Sequence, residues 1–81
     1  MKLFFISQDQ NNEYDTYDSA VVAAPDENTA RNIDPVSGGI NDWKEHLDVW
    51  CSGPEHVFVR YIGEAAADVE QGVICSSFNA G

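Results

Sequence analysis

Residues 56–62 read HVFVRYI, and nowhere else in the chain do apolar and β-branched residues run so long without a breaker. Period two places Val57, Val59 and Tyr61 on one face and Phe58 and Ile62 on the other, beside His56 and Arg60. A strand that is apolar on both faces belongs inside a sheet, with one side covered and the other partly covered. The run therefore predicts a central strand, and the rest of the chain has to supply its neighbours and its cover.

Residues 2–7 read as a first strand, with Phe4 and Ile6 on one face and Leu3 and Phe5 on the other. Residues 19–24, SAVVAA, read as a second, built of small and β-branched side chains. The connection 8–18 is rich in Asn and Asp and too long for a two-residue turn. Pro25-Asp26-Glu27 opens a helix, because Pro suits the first helical position and early carboxylates complement the helix dipole. Ala30 and Ile33 then face the sheet, and Pro35 ends the helix by disfavouring helical geometry at Asp34.

Within an insert at 37–53, Ile40, Trp43, Leu47 and Trp50 recur at helical spacing and predict a short helix. After the central strand, Glu64-Ala-Ala-Ala67 favours a turn or two of helix between Gly63 and Gly72. Residues 72–78, GVICSSF, form a last strand in which Val73 and Cys75 oppose Ile74 and Phe78, with Cys75 read as a small core residue. The order ββα, insert, ββ predicts one α+β domain over 1–81: a small, mostly antiparallel four-stranded sheet with one main helix on one face.

Length limits what such a domain can spare. A chain of 81 residues buries only about 60–65% of the surface its unfolded form exposes, and holds about 4–12 kcal/mol of net stability. A deep private pocket would compete with the core for the same large side chains. With 43% hydrophobic residues the chain is nevertheless too apolar to stay disordered.

Charge narrows the function classes. Fourteen acidic residues face only Lys2, Arg31, Lys44 and Arg60, a formal net charge of −10. Between Lys2 and Arg31 lie Asp9, Glu13, Asp15, Asp18, Asp26 and Glu27 with no base among them. This field repels phosphate backbones and anionic membranes and draws basic surfaces, so it argues against direct nucleic-acid or membrane binding. The same excess also serves solubility alone. The opening apolar run is shorter than a secretory h-region, and no stretch approaches the ~20 apolar residues that cross a bilayer. Two cysteines suit neither a disulfide scaffold nor a four-ligand zinc site, so a cytoplasmic protein with reduced thiols is expected.

Candidate chemistry is thin. Asp9, Asn11, Glu13 and Asp15 alternate like the first ligands of a calcium loop, but Tyr14 stands where Gly is needed and Ala20 where a bidentate Glu belongs. Cys51 or Cys75 with His46 or His56 lacks the surroundings of a nucleophile pair, and Gly38-Gly39 lacks the lysine of a phosphate loop. No catalytic residue, cofactor or metal is assigned. What stands out is aromatic residues among acids: Tyr14 and Tyr17 in NNEYDTYD, and Trp43 and Trp50 around Asp42, Glu45 and Asp48. Aromatics bury much area at little rotamer cost, and surrounding carboxylates would select an Arg- or Lys-bearing partner. Tyr14 and Tyr17 are read as surface residues, whereas Trp43 and Trp50 serve equally as core fillers.

A short, strongly acidic chain of this pattern resembles the small proteins that phages and prophages encode against host defence, anti-CRISPR proteins among them. The stretches NNEYDTYDSAVVAA, PEHVFVRYIGEA and GVICSSFNAG are similar to those of short phage-type open reading frames and cover about half of the chain. The resemblance implies an inhibitor that occludes a basic, nucleic-acid-binding surface of a host protein or nucleoprotein complex; it carries over no individual residue. On the residues themselves, Asp9, Glu13, Tyr14, Asp15, Tyr17 and Asp18 form one candidate partner-binding patch, with Asp42, Glu45 and Asp48 a second. The alternative is a small-molecule binder or minor enzyme with a pocket between the sheet and the 37–53 insert, using the tryptophans and His46 or His56.

The charge excess yields a first prediction. Screening like charges relieves self-repulsion, so the melting temperature should rise as sodium chloride goes from low to moderate concentration. A steady fall would show that specific ion pairs outweigh the repulsion.

Overall fold

The computed structural model describes residues 1–44 and 48–79. Its elements are β1 (Lys2–Ser7), β2 (Thr16–Ala24), a short helix α1 (Glu27–Arg31), a 3-10 turn (Pro54–His56), β3 (Phe58–Glu64) and β4 (Gly72–Asn79). The four strands form one antiparallel sheet in the order β3-β1-β2-β4. The architecture is mostly β, with the helix a single short piece. No helix among the described residues is long and apolar enough to cross a membrane.

The first hairpin is the middle of the sheet. β1 and β2 pair without a slip from Lys2↔Ala24 to Ser7↔Ser19. Alternation then sends Phe4, Ile6, Ala20 and Val22 to one face, and all four are buried. Rows run straight across the strands on that face: Val59, Ile6, Ala20, Ser76, and then Tyr61, Phe4, Val22, Val73. The opposite face carries the rows Phe58, Ser7, Ser19, Ser77 and Arg60, Phe5, Val21, Cys75, and it is left largely open.

The covered face is closed by pieces too short to stand alone. A helix of five residues cannot repay its own nucleation. Asp26 caps α1 by accepting the Thr29 N–H at 2.7 Å, which holds the Asp26 carboxyl below its ordinary range. Because the folded value is the lower one, the cap stabilises the fold at neutral pH and is lost as pH falls through that value. Ala30 and the following Ile33 are fully buried against the sheet. Arg31 leaves α1 to donate to the carbonyls of Pro54 and Val57, so one of the four bases is spent on fastening helix to strand entrance. Trp50, Cys51 and Val57 complete the core.

Several expectations are corrected. The run 56–62 does not supply the central strand: β3 lies at the sheet edge, and Phe58, Tyr61 and Ile62 are about half exposed. Two-faced apolarity failed as a marker here because much of the second face of the sheet is open and an edge strand is exposed even on the covered side, as at Tyr61. β2 begins at Thr16 rather than at residue 19, which moves Tyr17 and Asp18 out of the loop and into a strand. Pro25 precedes the Asp26 cap and is not the first helical residue. Cys75 is exposed and Cys51 buried, both as free thiols. Glu64 ends β3, and 67–68 form a turn rather than a helix.

The helix expected over 40–50 is absent at both of its described ends. Asn41 Oδ1 accepts the N–H of Trp43 at 2.8 Å and Asp42 Oδ1 that of Lys44 at 2.9 Å, local side-chain turns that compete with helical geometry. Trp43 adopts a left-handed φ of 61° and is held by its indole N–H on Asn32 Oδ1 at 2.9 Å. Ile40 instead bridges to Ile33. Residues 48 and 49 form a turn. Leu47, the remaining member of that periodicity, lies outside the described residues.

The two sheet faces should respond differently to truncation. Trp50→Ala empties the largest buried side chain and should cost about 3–5 kcal/mol, a large part of the net stability. Phe58→Ala, on the open face, should cost less than about 1 kcal/mol. Urea unfolding midpoints check the contrast, and equal shifts would contradict the one-sided core.

Candidate acidic interaction surface

The 8–15 connection is built around Gln8. The alternation that buries Phe4 and Ile6 carries on to Gln8, which is only 5% exposed. Its amide N–H groups donate to the carbonyls of Asn11 (2.8 Å) and Tyr17 (2.9 Å), and its Oε1 accepts the Asn11 N–H (2.8 Å). A polar side chain at a core position thus becomes the template on which the loop closes. Asn12 donates to the Asp9 carbonyl and Thr16 Oγ1 to that of Glu13. Asp15 takes a left-handed φ of 62°, tolerable for Asp, and its N–H donates to the Asn79 carbonyl.

Asn11 then joins the loop to the insert. Its Nδ2 donates to the carbonyls of Asp48 (3.1 Å) and Trp50 (3.3 Å). The Tyr17 N–H donates to the Val49 carbonyl at 2.8 Å, and Gln10 Oε1 accepts the Ser52 N–H at 2.7 Å. Gln10 Nε2 also shares a hydrogen bond with His56 Nε2 at 3.2 Å. These contacts bring the Asp48 backbone against the loop that carries Asp9, Glu13 and Asp15, although more than thirty residues of chain separate them. All four carboxylates are exposed, and no described ion pair engages them. Lys2 stands at the far end of β1, Arg60 pairs with Phe5 along the strand, and Arg31 points inward.

The remaining expected residues are distributed unevenly. Tyr14 lies in the same loop and is 75% exposed. Asp18 is exposed on β2, with an oxygen accepting from Ser19 Oγ. Tyr17 is half-buried against the core, its ring 4.8 Å from that of Phe78 in an edge-on pair, so it supports the sheet rather than projecting as an anchor. Asp42 is exposed and sits in the part of the insert tied to the end of α1 by the Asn41 N–H on the Asn32 carbonyl. Glu45 and His46 lie outside the described residues. Trp50 is core and Trp43 half-buried.

Other chemistries find little support in the geometry. Asn11, a would-be calcium ligand, has its amide engaged with Asp48, Trp50 and the Glu13 N–H. No group of three His, Cys, Asp or Glu among the described residues is placed to hold a metal. Burial pushes the Cys51 thiol up, away from the thiolate a nucleophile needs. Trp50 and Cys51 fill the space between sheet and insert. A cleft of about 310 Å³ lies instead at the opposite end of the sheet, lined by Lys2, Phe4, Asp26, Glu27 and Tyr61.

Sequence reasoning missed the bracing roles of Gln8, Asn11 and Arg31. For Gln8 a signal was present: it continues the core-facing alternation of Phe4 and Ile6. Comparison of the chain with protein-family models, curated proteins and solved structures finds no match.

Gln8→Ala leaves several loop groups unpaired and should cost about 1–3 kcal/mol, whereas Asn11→Ala should cost about 0.5–1.5 kcal/mol for each bond lost. Hydrogen exchange should quicken at Asn11 in the first variant and at Tyr17, whose N–H is held by the insert, in the second. Unchanged exchange in both would show that the loop is held by other means.

Proposed function

We propose that this is a binding protein that sets its acidic loop end against a basic surface of a larger partner and blocks access to it. The supporting observation is the grouping of Asp9, Glu13, Asp15 and Asp48 on one end of the sheet, exposed and without a described cationic partner, in a loop ordered by Gln8 and Asn11. An ordered array of like charges attracts a basic surface without first losing loop entropy, and it accelerates encounter at low salt. Surfaces that bind nucleic acid are the basic surfaces such an array suits best. The resemblance to phage-encoded anti-defence proteins adds that the partner belongs to a host defence complex, as anti-CRISPR proteins require. Tyr14, fully presented among these acids, is the aromatic anchor of this reading.

The test combines capture and kinetics. A partner retained from host lysate at low salt should be released by high salt and by competing nucleic acid. Asp9→Asn, Asp15→Asn and Asp48→Asn together should leave the domain folded and, with repulsion relieved, at least as stable as the parent. The same variant should slow association at least about tenfold and flatten its salt dependence. Tyr14→Ala should mainly quicken dissociation. A partner that binds these variants with parental rates would overturn the assignment.

A further inference from the structure

The two edges of the sheet are guarded differently. β3 carries Arg60 and Glu64 along its edge and shifts register once against β1. β4 spans eight residues, GVICSSFN, without a charge or a proline, and among the described residues it pairs with β2 alone, with register shifts at Tyr17/Ser19 and Val21/Val22. Natural sheets protect exposed edges with charges, proline or cover, because the outward backbone N–H and C=O groups otherwise recruit another strand. In β4 the guards lie toward the start of the strand: the ladder shifts at Ile74, between Val73 and Cys75, and the turn at Gly38 comes against Gly72 and Val73, where a Cβ on Gly38 would sit 3.8 Å from the Val73 nitrogen. Residues 74–78 remain uncovered, with Ile74 50% and Phe78 45% exposed. In a chain of net charge −10, an unguarded edge of this kind is conspicuous.

Carboxylates stand at both ends of that edge. At its far end, Asn79 is bonded to the loop through the Asp15 N–H and the Glu13 carbonyl. At its near end, exposed Asp68 and Glu70 lead into Gly72. A second copy of the chain is a poor occupant, because antiparallel pairing would set Glu13 and Asp15 of one copy against Asp68 and Glu70 of the other. Parallel pairing would bring identical acids together. We propose that residues 74–78 of β4 receive an extended segment of the basic partner as a fifth strand, with Lys or Arg near each end of that segment meeting the flanking carboxylates. The inference rests on the reading of the partner as basic, and it adds the form in which the partner presents itself. Main-chain hydrogen bonds would supply affinity and the end charges orientation. At a rise of about 3.3 Å per residue, a segment of roughly seven to nine residues spans the edge and reaches both acidic ends.

Three synthetic peptides test this on isotope-labelled protein by nuclear magnetic resonance: a nine-residue strand of alternating valine and threonine with two lysines at each end, its twin with glutamates at the ends, and the lysine peptide N-methylated along its centre. The lysine peptide should shift the amides of residues 74–78 and slow their exchange with solvent. The glutamate twin should bind at least about tenfold more weakly, and the methylated one should lose the exchange protection. Lysine-peptide shifts confined to Asp9–Asp18 and Asp48, with β4 unmoved, would overturn the edge assignment while leaving the acidic surface standing. Failure of the lysine peptide to bind anywhere would overturn both. Protection of β4 that grows with protein concentration alone would replace the partner strand with a second copy, and equal binding of the glutamate twin would remove the role of the end charges.

Discussion

Everything in this fold depends on closing one face of a small sheet with material that has almost no regular structure. Phe4, Ile6, Ala20 and Val22 form an apolar floor, and α1 with its five residues is too short to cover it. Cover comes instead from Trp50, Cys51 and Val57, joined by Ala30 and Ile33. A single tryptophan then carries a large share of the core, which is what a chain of 81 residues can manage when the second sheet face stays open. The cost is visible in the Trp50 indole N–H, which is buried without an acceptor among the described residues.

That dependence shapes the acidic end. Holding Trp50 in place fixes the backbone of 48–52, and its carbonyls and amides become the dock for Asn11, Gln10 and Tyr17. The loop is therefore as ordered as the core contacts behind it, and its carboxylates are displayed at fixed positions. Mutual repulsion among them opposes folding, while polar side chains tie down the backbone that carries them. A concentration of like charge on a braced loop is costly for stability and useful for recognition, which is why the loop carries the functional reading.

β4 belongs to the same logic from the other side. The covering stretch reaches only its first residues, through Gly38, so Ser76 is exposed even though its row neighbours Ile6 and Ala20 are buried. Limited material leaves both an open face and an open edge, and the edge borders the acidic loop through Asn79.

The order of the four strands was legible in the sequence because each carries its own local signal: period-two apolarity in β1, small and β-branched residues in β2, the long apolar run in β3, and an apolar alternation opened by Gly72 in β4. The acidity of the loop was equally legible, since composition needs no fold. Which strands lie inside the sheet was not, because apolar residues on both faces of 56–62 look the same at an edge beside an open face as in a covered centre. The helical spacing of Ile40, Trp43, Leu47 and Trp50 misled for a local reason, the capture of backbone N–H groups by Asn41 and Asp42, whose geometry periodicity does not encode. Tertiary structure alone decided that Asp48 joins the loop of Asp9, Glu13 and Asp15, because that contact is made by Asn11 reaching carbonyls across a long stretch of chain, and backbone acceptors are present at every residue and leave no mark in a sequence.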